Sequence, residues 1–255
     1  MANRKISKPE EWERSHFNKI AREYEHKYGY DDAFTKYKIN KKVSRFIESI
    51  KNNLDTKKTL KIFEIGCGTG TYTFAYSKKL PNDNITATDI SEEMINLCNS
   101  QNKSKSNIKF IVKSAYDTGI KKDSVDVVSG FYVLHHIDQK KVRREILRIL
   151  KPGGVVYFYE PNILNPVVFL IKSNKFIKKL VGDSSEEWAI NPLKVKEEWS
   201  GFDVVYNRTT EFIWPFSFVP YKVKLAMDKF TSVVFDKIPL LNLIGGSVEI
   251  CLVKK

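Results

Sequence analysis

The run Glu64-Ile65-Gly66-Cys67-Gly68-Thr69-Gly70 places one acid ahead of three glycines at every second position. Glycines this close together imply a sharp backbone bend with something lying against it. A dinucleotide fingerprint would read G-x-G-x-x-G and aim a helix N-terminus at a pyrophosphate. Here the spacing is G-x-G-x-G, and Glu64 would repel a phosphate; the arrangement suits a ligand with a cationic amino group. Roughly twenty residues further on, Asp89 stands where a carboxylate can accept both hydroxyls of a ribose. The plainer role for Asp89 is a cap for the helix that follows. Later, Phe131-Tyr132-Val133-Leu134-His135-His136 brings a phenol and two imidazoles together. Histidine is the side chain already poised near neutral pH to take a proton from an acceptor.

These residues need elements to hold them. Leu60 to Ile65 reads as a strand and Tyr72 to Leu80 as a helix, so the glycines form a strand-to-helix turn. Short strands follow at 84–88, 108–113, 125–130 and 155–160, separated by helical stretches that Ser91 and Asp138 can cap. Regular alternation of this kind predicts a parallel, doubly wound α/β sheet. Before it come two amphipathic helices, one over 10–30 and one beginning after Asp31 and Asp32. Beyond Glu160 a helix is expected over 167–181, a short one over 194–199, and strands near Phe202 and over 248–253.

With its acid, Glu64-x-Gly66-x-Gly68-x-Gly70 resembles motif I of the class I S-adenosylmethionine-dependent methyltransferases. Val133-Leu134-His135-His136-Ile137 and Leu150-Lys151-Pro152-Gly153-Gly154 resemble the later motifs of their small-molecule (type 11-like) members. The resemblance implies a seven-stranded Rossmann-like sheet with N-terminal helices and a C-terminal cap insertion. It divides the chain into a helical lid (1–54), a cofactor-binding core (55–160) and a cap carrying the closing strands (161–255), the last two as an antiparallel hairpin. It implies S-adenosyl-L-methionine as cofactor, held by Glu64, Gly66, Cys67, Gly68, Gly70, Asp89, Ile90, Ser114, Ala115, Tyr116 and Phe131. Ser114 stands where such proteins carry an Asp before Ala, which weakens that contact to adenine or passes it to Asp117. The catalytic candidates are His135, His136 and Tyr132; adjacent side chains point apart, so one histidine is expected to face the site. Tyr24 and Tyr28 on the lid, with Glu160 and Trp214, are the candidates for contact with the acceptor.

The net charge of +13 invites a nucleic-acid reading. The excess is mostly lysine spread along the chain, and no nucleic-acid module is readable, so nucleic acid is not the expected partner. Three scattered cysteines make neither a disulfide framework nor a zinc site. A polar start and the lack of a long apolar run predict a cytoplasmic protein, with contact to a membrane surface kept open. No N-P-P-Y or D-P-P-Y follows the fourth strand, and no carboxylate cluster for a divalent metal is readable. A metal-independent enzyme is therefore expected, most simply methylating an oxygen of a small or lipid-linked acceptor. Phe169, Leu170, Phe176 and Leu180, interleaved with Lys172, Lys175, Lys178 and Lys179, and the aromatic stretch from Phe212 to Phe230, suggest an apolar acceptor such as a polyprenyl, quinone or lipid-borne sugar precursor. An RNA methyltransferase and a catalytically silent cofactor-binding protein are the competing readings.

Overall fold

The computed structural model describes residues 6–27, 30, 32–102, 107–181, 183, 187–212, 219–235, 238 and 241–255. Helix α1 (Lys8–Ile20) is started by a capping box, in which the Glu10 carboxylate accepts from the Ser7 backbone N–H at 3.0 Å. A 3₁₀ turn (Ala21–Glu23) then leads into the short α2 (Tyr24–Lys27), so the single helix expected over 10–30 is broken. In α3 (Ala33–Asn53) the Asp32 carboxylate accepts from the backbone N–H of Phe34 and Thr35. Its Val43, Phe46 and Ile50 are fully buried in the core beneath one face of the sheet. Burying each such side chain stabilises by roughly 1.5–3 kcal/mol.

The core alternates strand and helix: β1 (Lys61–Ile65), α4 (Thr71–Ser77), β2 (Asn84–Asp89), α5 (Glu92–Gln101), β3 (Ile108–Val112), β4 (Val125–Phe131), α6 (Gln139–Ile149) and β5 (Leu150–Pro161). Beyond it come α7 (Pro166–Ser173), α8 (Lys175–Val181), α9 (Val195–Glu198), β6 (Phe202–Thr210), α10 (Tyr221–Phe235) and β7 (Ser247–Lys254). The seven strands lie in the order β3-β2-β1-β4-β5-β7-β6. β1 to β5 pair in parallel, and β7 runs antiparallel between β5 and β6. The strand order reverses between β1 and β4, and the crevice outside their C-terminal ends is where ligands bind in open sheets of this kind.

The helix expected over 167–181 is two helices, because the Asn174 side chain accepts from the N–H of Phe176 and Ile177 and starts a new one. The polarity of this region is reversed. Lys172 and Lys178 are buried while Phe176 and Leu180 are 76% and 77% exposed. On α10 Lys224 and Asp228 face inward, and Val223, Met227, Phe230 and Val233 face out. Lys172 and Lys178 thus do not stand among the exposed lysines that the sequence pattern suggests.

Candidate active site

β1 and β4 end side by side, and the glycine turn bends between them. Gly66, Gly68 and Gly70 all take left-handed φ, at 66°, 53° and 80°, a region closed to most L side chains. A Cβ on Gly66 would stand 2.3 Å from Val133 Cγ2, so its absence lets the loop after β4 close on the turn. A Cβ on Gly68 would meet only the Tyr24 ring, at 3.9 Å. That face of the turn looks into a cavity of about 1000 Å³, a volume that includes space open to solvent.

Of the residues assigned to the cofactor, all but Gly70 line this cavity; Gly70 is the N-cap of α4. Asp89 is held by two backbone donors: Gly68 N–H reaches one carboxylate oxygen and Ser91 N–H the other, each at 2.9 Å. Burial pushes its carboxyl up, and the backbone N–H groups around it oppose that. The cap of α5 is Ser91, whose side chain accepts from Met94 N–H, so of the two roles open in the sequence Asp89 does not take the cap; it ties the glycine turn to Ser91 and lines the cavity.

Glu64 lies deeper than the sequence suggests. It is 1% exposed, and the Thr73 and Tyr76 hydroxyls both donate to its Oε2, at 2.6 and 2.7 Å. Burial pushes its carboxyl up to about 7, against those two hydrogen bonds. Ser114 Oγ donates to Glu10 Oε1 of the lid at 2.5 Å, a partner the sequence did not suggest. Phe131 stacks on Tyr72 with ring centroids 4.3 Å apart.

α1 covers the opening. Pro9, Glu10, Glu13 and Phe17 line the cavity from above, and Ser91 Oγ donates to Asn18 Oδ1 at 2.7 Å. Sequence reasoning missed Glu10, Glu13 and Asn18. Glu10, Glu13 and Phe17 follow one another at three and four residues along one side of α1, and that was the available signal for the two acids. Tyr24 lines the cavity, while Tyr28 and Trp214 lie outside the described residues.

The catalytic candidates separate. Tyr132, at φ 58°, lines the cavity, but its hydroxyl accepts from Lys42 Nζ at 2.8 Å and donates to Glu211 Oε2 at 3.1 Å. Burial holds that phenol far above its ordinary range, and Glu211 adds to it, which disfavours Tyr132 as a base. His136 lines the cavity and His135 does not. The two rings do not diverge: their centroids are 4.0 Å apart. His135 Nδ1 lies 2.8 Å from Glu160 Oε2, and burial lowers its pKa, with His136 adding to that. The other Glu160 oxygen accepts from Val133 and Leu134 N–H, each at 2.8 Å. Fully buried and so engaged, Glu160 organises the loop after β4 and does not line the cavity. His136 Nδ1 stands 3.4 Å from Glu13 Oε2 and 3.3 Å from Glu187 Oε1. Burial alone would lower its pKa, but the two carboxylates outweigh that and hold it up at about 9. The two carboxylates thus favour the protonated imidazole over the neutral base expected from the sequence. Glu187 was not among the sequence candidates.

S-adenosylmethionine fits these residues. The turn leaves open space at Gly68, the Glu64 carboxyl lies under it, and Asp89 faces the same cavity beyond it. Residues 63–158 match a family model described as "Methyltransferase domain". The chain is 37% identical over 105 residues to the demethylmenaquinone methyltransferase of Lactococcus lactis subsp. lactis (strain IL1403), covering 40% of this chain and 42% of that protein. It is 31% identical over 113 residues to the protein of that name from Staphylococcus aureus (strain Newman), covering 44% and 47%. The match thus spans less than half the length of these relatives. Among solved structures, a chain of the Haloferax volcanii complex between the Trm112 methyltransferase activator and a methyltransferase superposes with TM-score 0.64 at 16% identity, over 93% of this chain and 97% of that one. A SAM-dependent methyltransferase from Archaeoglobus fulgidus gives 0.58 at 16% identity, over 85% and 93%. These two establish the fold. Motif order, family match and the glycine cradle agree: residues 63–158 match the methyltransferase-domain family, on a sheet that has the fold of the solved methyltransferases.

Proposed function

We propose that this protein transfers a methyl group from S-adenosylmethionine to a hydroxyl oxygen of an apolar, lipid-linked acceptor drawn from a membrane surface. The observation that carries the reading is the reversed polarity of α7, α8 and α10 beside a cofactor cradle. Phe169, Leu170, Phe176 and Leu180 on one side, and Met227 and Phe230 on the other, face outward, while Lys172, Lys178, Lys224 and Asp228 turn in. A helix that buries its charges and exposes its apolar face suits a lipid interface, with Lys175, Lys179, Lys222 and Lys229, all exposed, at headgroup level. The relatives' name, which carries a quinone, supports the same acceptor class.

When bound, the cofactor supplies an activated methyl on a sulfonium that leaves as a neutral thioether, so the displacement itself asks for no metal. The chain's part is to orient and to exclude water. Glu64 and the glycine turn hold the amino-acid end, Asp89 the ribose, and Ser114 to Tyr116 the adenine edge. His136, the one of the two histidines that lines the cavity, together with Tyr24 and Glu13 of the lid, which line it too, is our assignment for contact with the acceptor.

The test is methyl transfer from labelled cofactor to matched acceptors: a prenylated hydroquinone in detergent or vesicles, and its short-chain, water-soluble counterpart. Faster turnover of the prenylated acceptor is expected. Equal or better turnover of hydrophilic acceptors would overturn the lipid reading, and cofactor binding without any product would make the chain a binding protein.

A further inference from the structure

We propose that Glu13, His135, His136 and Glu187 form a binding site for one divalent transition-metal ion of the zinc class, where the lid helix meets the loop after β4. The residues come from separate parts of the chain: α1, the turn beyond β4, and the segment beyond α8. His136 Nδ1 lies 3.4 Å from Glu13 Oε2 and 3.3 Å from Glu187 Oε1. Ligands at ~2.05 Å from a tetrahedral ion stand about 3.4 Å from each other, whereas charge-assisted hydrogen bonds run to ~2.7–2.9 Å. Glu13 Oε2 and His136 Nδ1 are both buried, and neither makes a hydrogen bond among the described residues.

His135 supplies the next donor. Its Nδ1 is engaged by Glu160 at 2.8 Å, which leaves Nε2 for an ion. A carboxylate behind a histidine is the support that metal-binding imidazoles have, since it fixes tautomer and ring orientation. His135, His136 and Glu187 each offer one ligand atom, all within 4.8 Å of one another.

The charges agree. Glu187 Oε2 is held by Lys172 Nζ at 3.0 Å, which also pairs with Asp183 at 2.7 Å, and Lys178 Nζ donates to the Glu187 carbonyl at 2.6 Å. With neutral imidazoles, Glu13, Glu160, Asp183 and Glu187 against Lys172 and Lys178 leave two negative charges. A divalent ion cancels them. Two nitrogens and two carboxylates favour zinc or cobalt over magnesium and calcium, which prefer all-oxygen sites. Glu13 and His136 line the cavity, so a fifth position faces into it and takes a water or an oxygen anion. This departs from the expectation, drawn from the sequence, that no metal is held. The competing arrangement is a protonated His136 between two carboxylates, which binds no metal.

The test uses the full-length, untagged protein dialysed against chelator and then titrated with ZnCl2 or CoCl2. Bound metal is read by elemental analysis, and cobalt by its visible absorption. One equivalent per chain is expected, with d–d bands of a four- or five-coordinate ion and no thiolate charge-transfer band that would point to the buried Cys67, Cys98 or Cys251. Glu13→Gln, His136→Asn and Glu187→Gln should each weaken binding at least about tenfold. The three lie on different segments, so a folding defect in one, seen by circular dichroism, leaves the others to decide. Binding below half an equivalent in wild type, or binding unaffected in every folded variant, would overturn the site. Because metal content is read without any acceptor, the outcome is independent of whether methyl transfer is found.

Discussion

The Tyr76 hydroxyl donates to Glu64 Oε2 at 2.7 Å, and Thr73 donates to the same oxygen at 2.6 Å. Both donors come from α4, the helix that the glycine turn starts, so the acid of the motif is positioned by its own downstream helix. Burial nevertheless pushes the carboxyl up to about 7. Between its ordinary value of 4.5 and about 7 the folded chain holds one more proton than the unfolded one. Stability without cofactor should therefore fall as pH rises through that window. Binding of a cationic ligand should change in the opposite sense and tighten as Glu64 ionises. Calorimetric titration of S-adenosylmethionine from pH 6 to pH 8 is expected to show this rise, and Glu64→Gln to flatten it. A pH-independent affinity in wild type would contradict the assignment.

Asp89→Ala should weaken cofactor binding by on the order of 2 kcal/mol, about thirtyfold, because charged hydrogen bonds to the ribose are lost. Asp89→Asn should lose less. If Asp89→Ala titrates like wild type while both bind NAD tightly, the cofactor assignment fails.

The lid is held by Glu10 on Ser114 and by Asn18 on Ser91. Glu10→Ala also removes one half of the capping box, so α1 should fray by roughly 1 kcal/mol in addition to undocking. Hydrogen exchange over 8–20 is expected to speed up in Glu10→Ala and Asn18→Ala, with little change in α5. Unchanged protection in both variants would mean that packing of Phe17 alone holds the lid.

Peripheral membrane contact is tested by sedimentation with anionic and neutral vesicles at two salt concentrations. Binding to anionic vesicles that weakens with salt is expected. Phe176→Asp with Phe230→Asp should reduce it severalfold without a change in melting temperature, since both side chains lie mostly in solvent, at 76% and 66% exposure. No binding to anionic vesicles even at low salt would remove this part of the proposal.

The cradle was legible because its logic is local: glycines, acid and following strand lie within one βα unit, and a single chain segment dictates their geometry. Asp138, Ser91 and Asp32 were readable as helix caps for the same reason. Glu13 and Glu187 were not legible, since nothing along the chain relates positions 13, 136 and 187 until α1 folds over the sheet. Lys172 and Lys178 misled in the other direction. Their spacing matches exposed lysines on an amphipathic helix, but the groups they meet on the inside, the Asp183 and Glu187 carboxylates for Lys172 and the Glu187 carbonyl for Lys178, sit on a segment without periodic pattern. Glu160 looked available at a strand end and is instead consumed by the backbone beside it.

Thr210 and Ser247 are register partners across β6 and β7. The segment between them therefore leaves and rejoins the sheet at a single rung, so in topological terms it is an overgrown hairpin loop. The entropic cost of such a loop rises only with the logarithm of its length, so long and short versions are compatible with one scaffold. With the acceptor met by this cap, as proposed, exchanging 212–246 at that rung is the change expected to alter acceptor preference, with the Asp228 contacts to Tyr37 and Lys41 of α3 kept. Glu211 marks where the graft must stop: its ion pairs to Lys38 and Lys42 tie the root of the loop to α3.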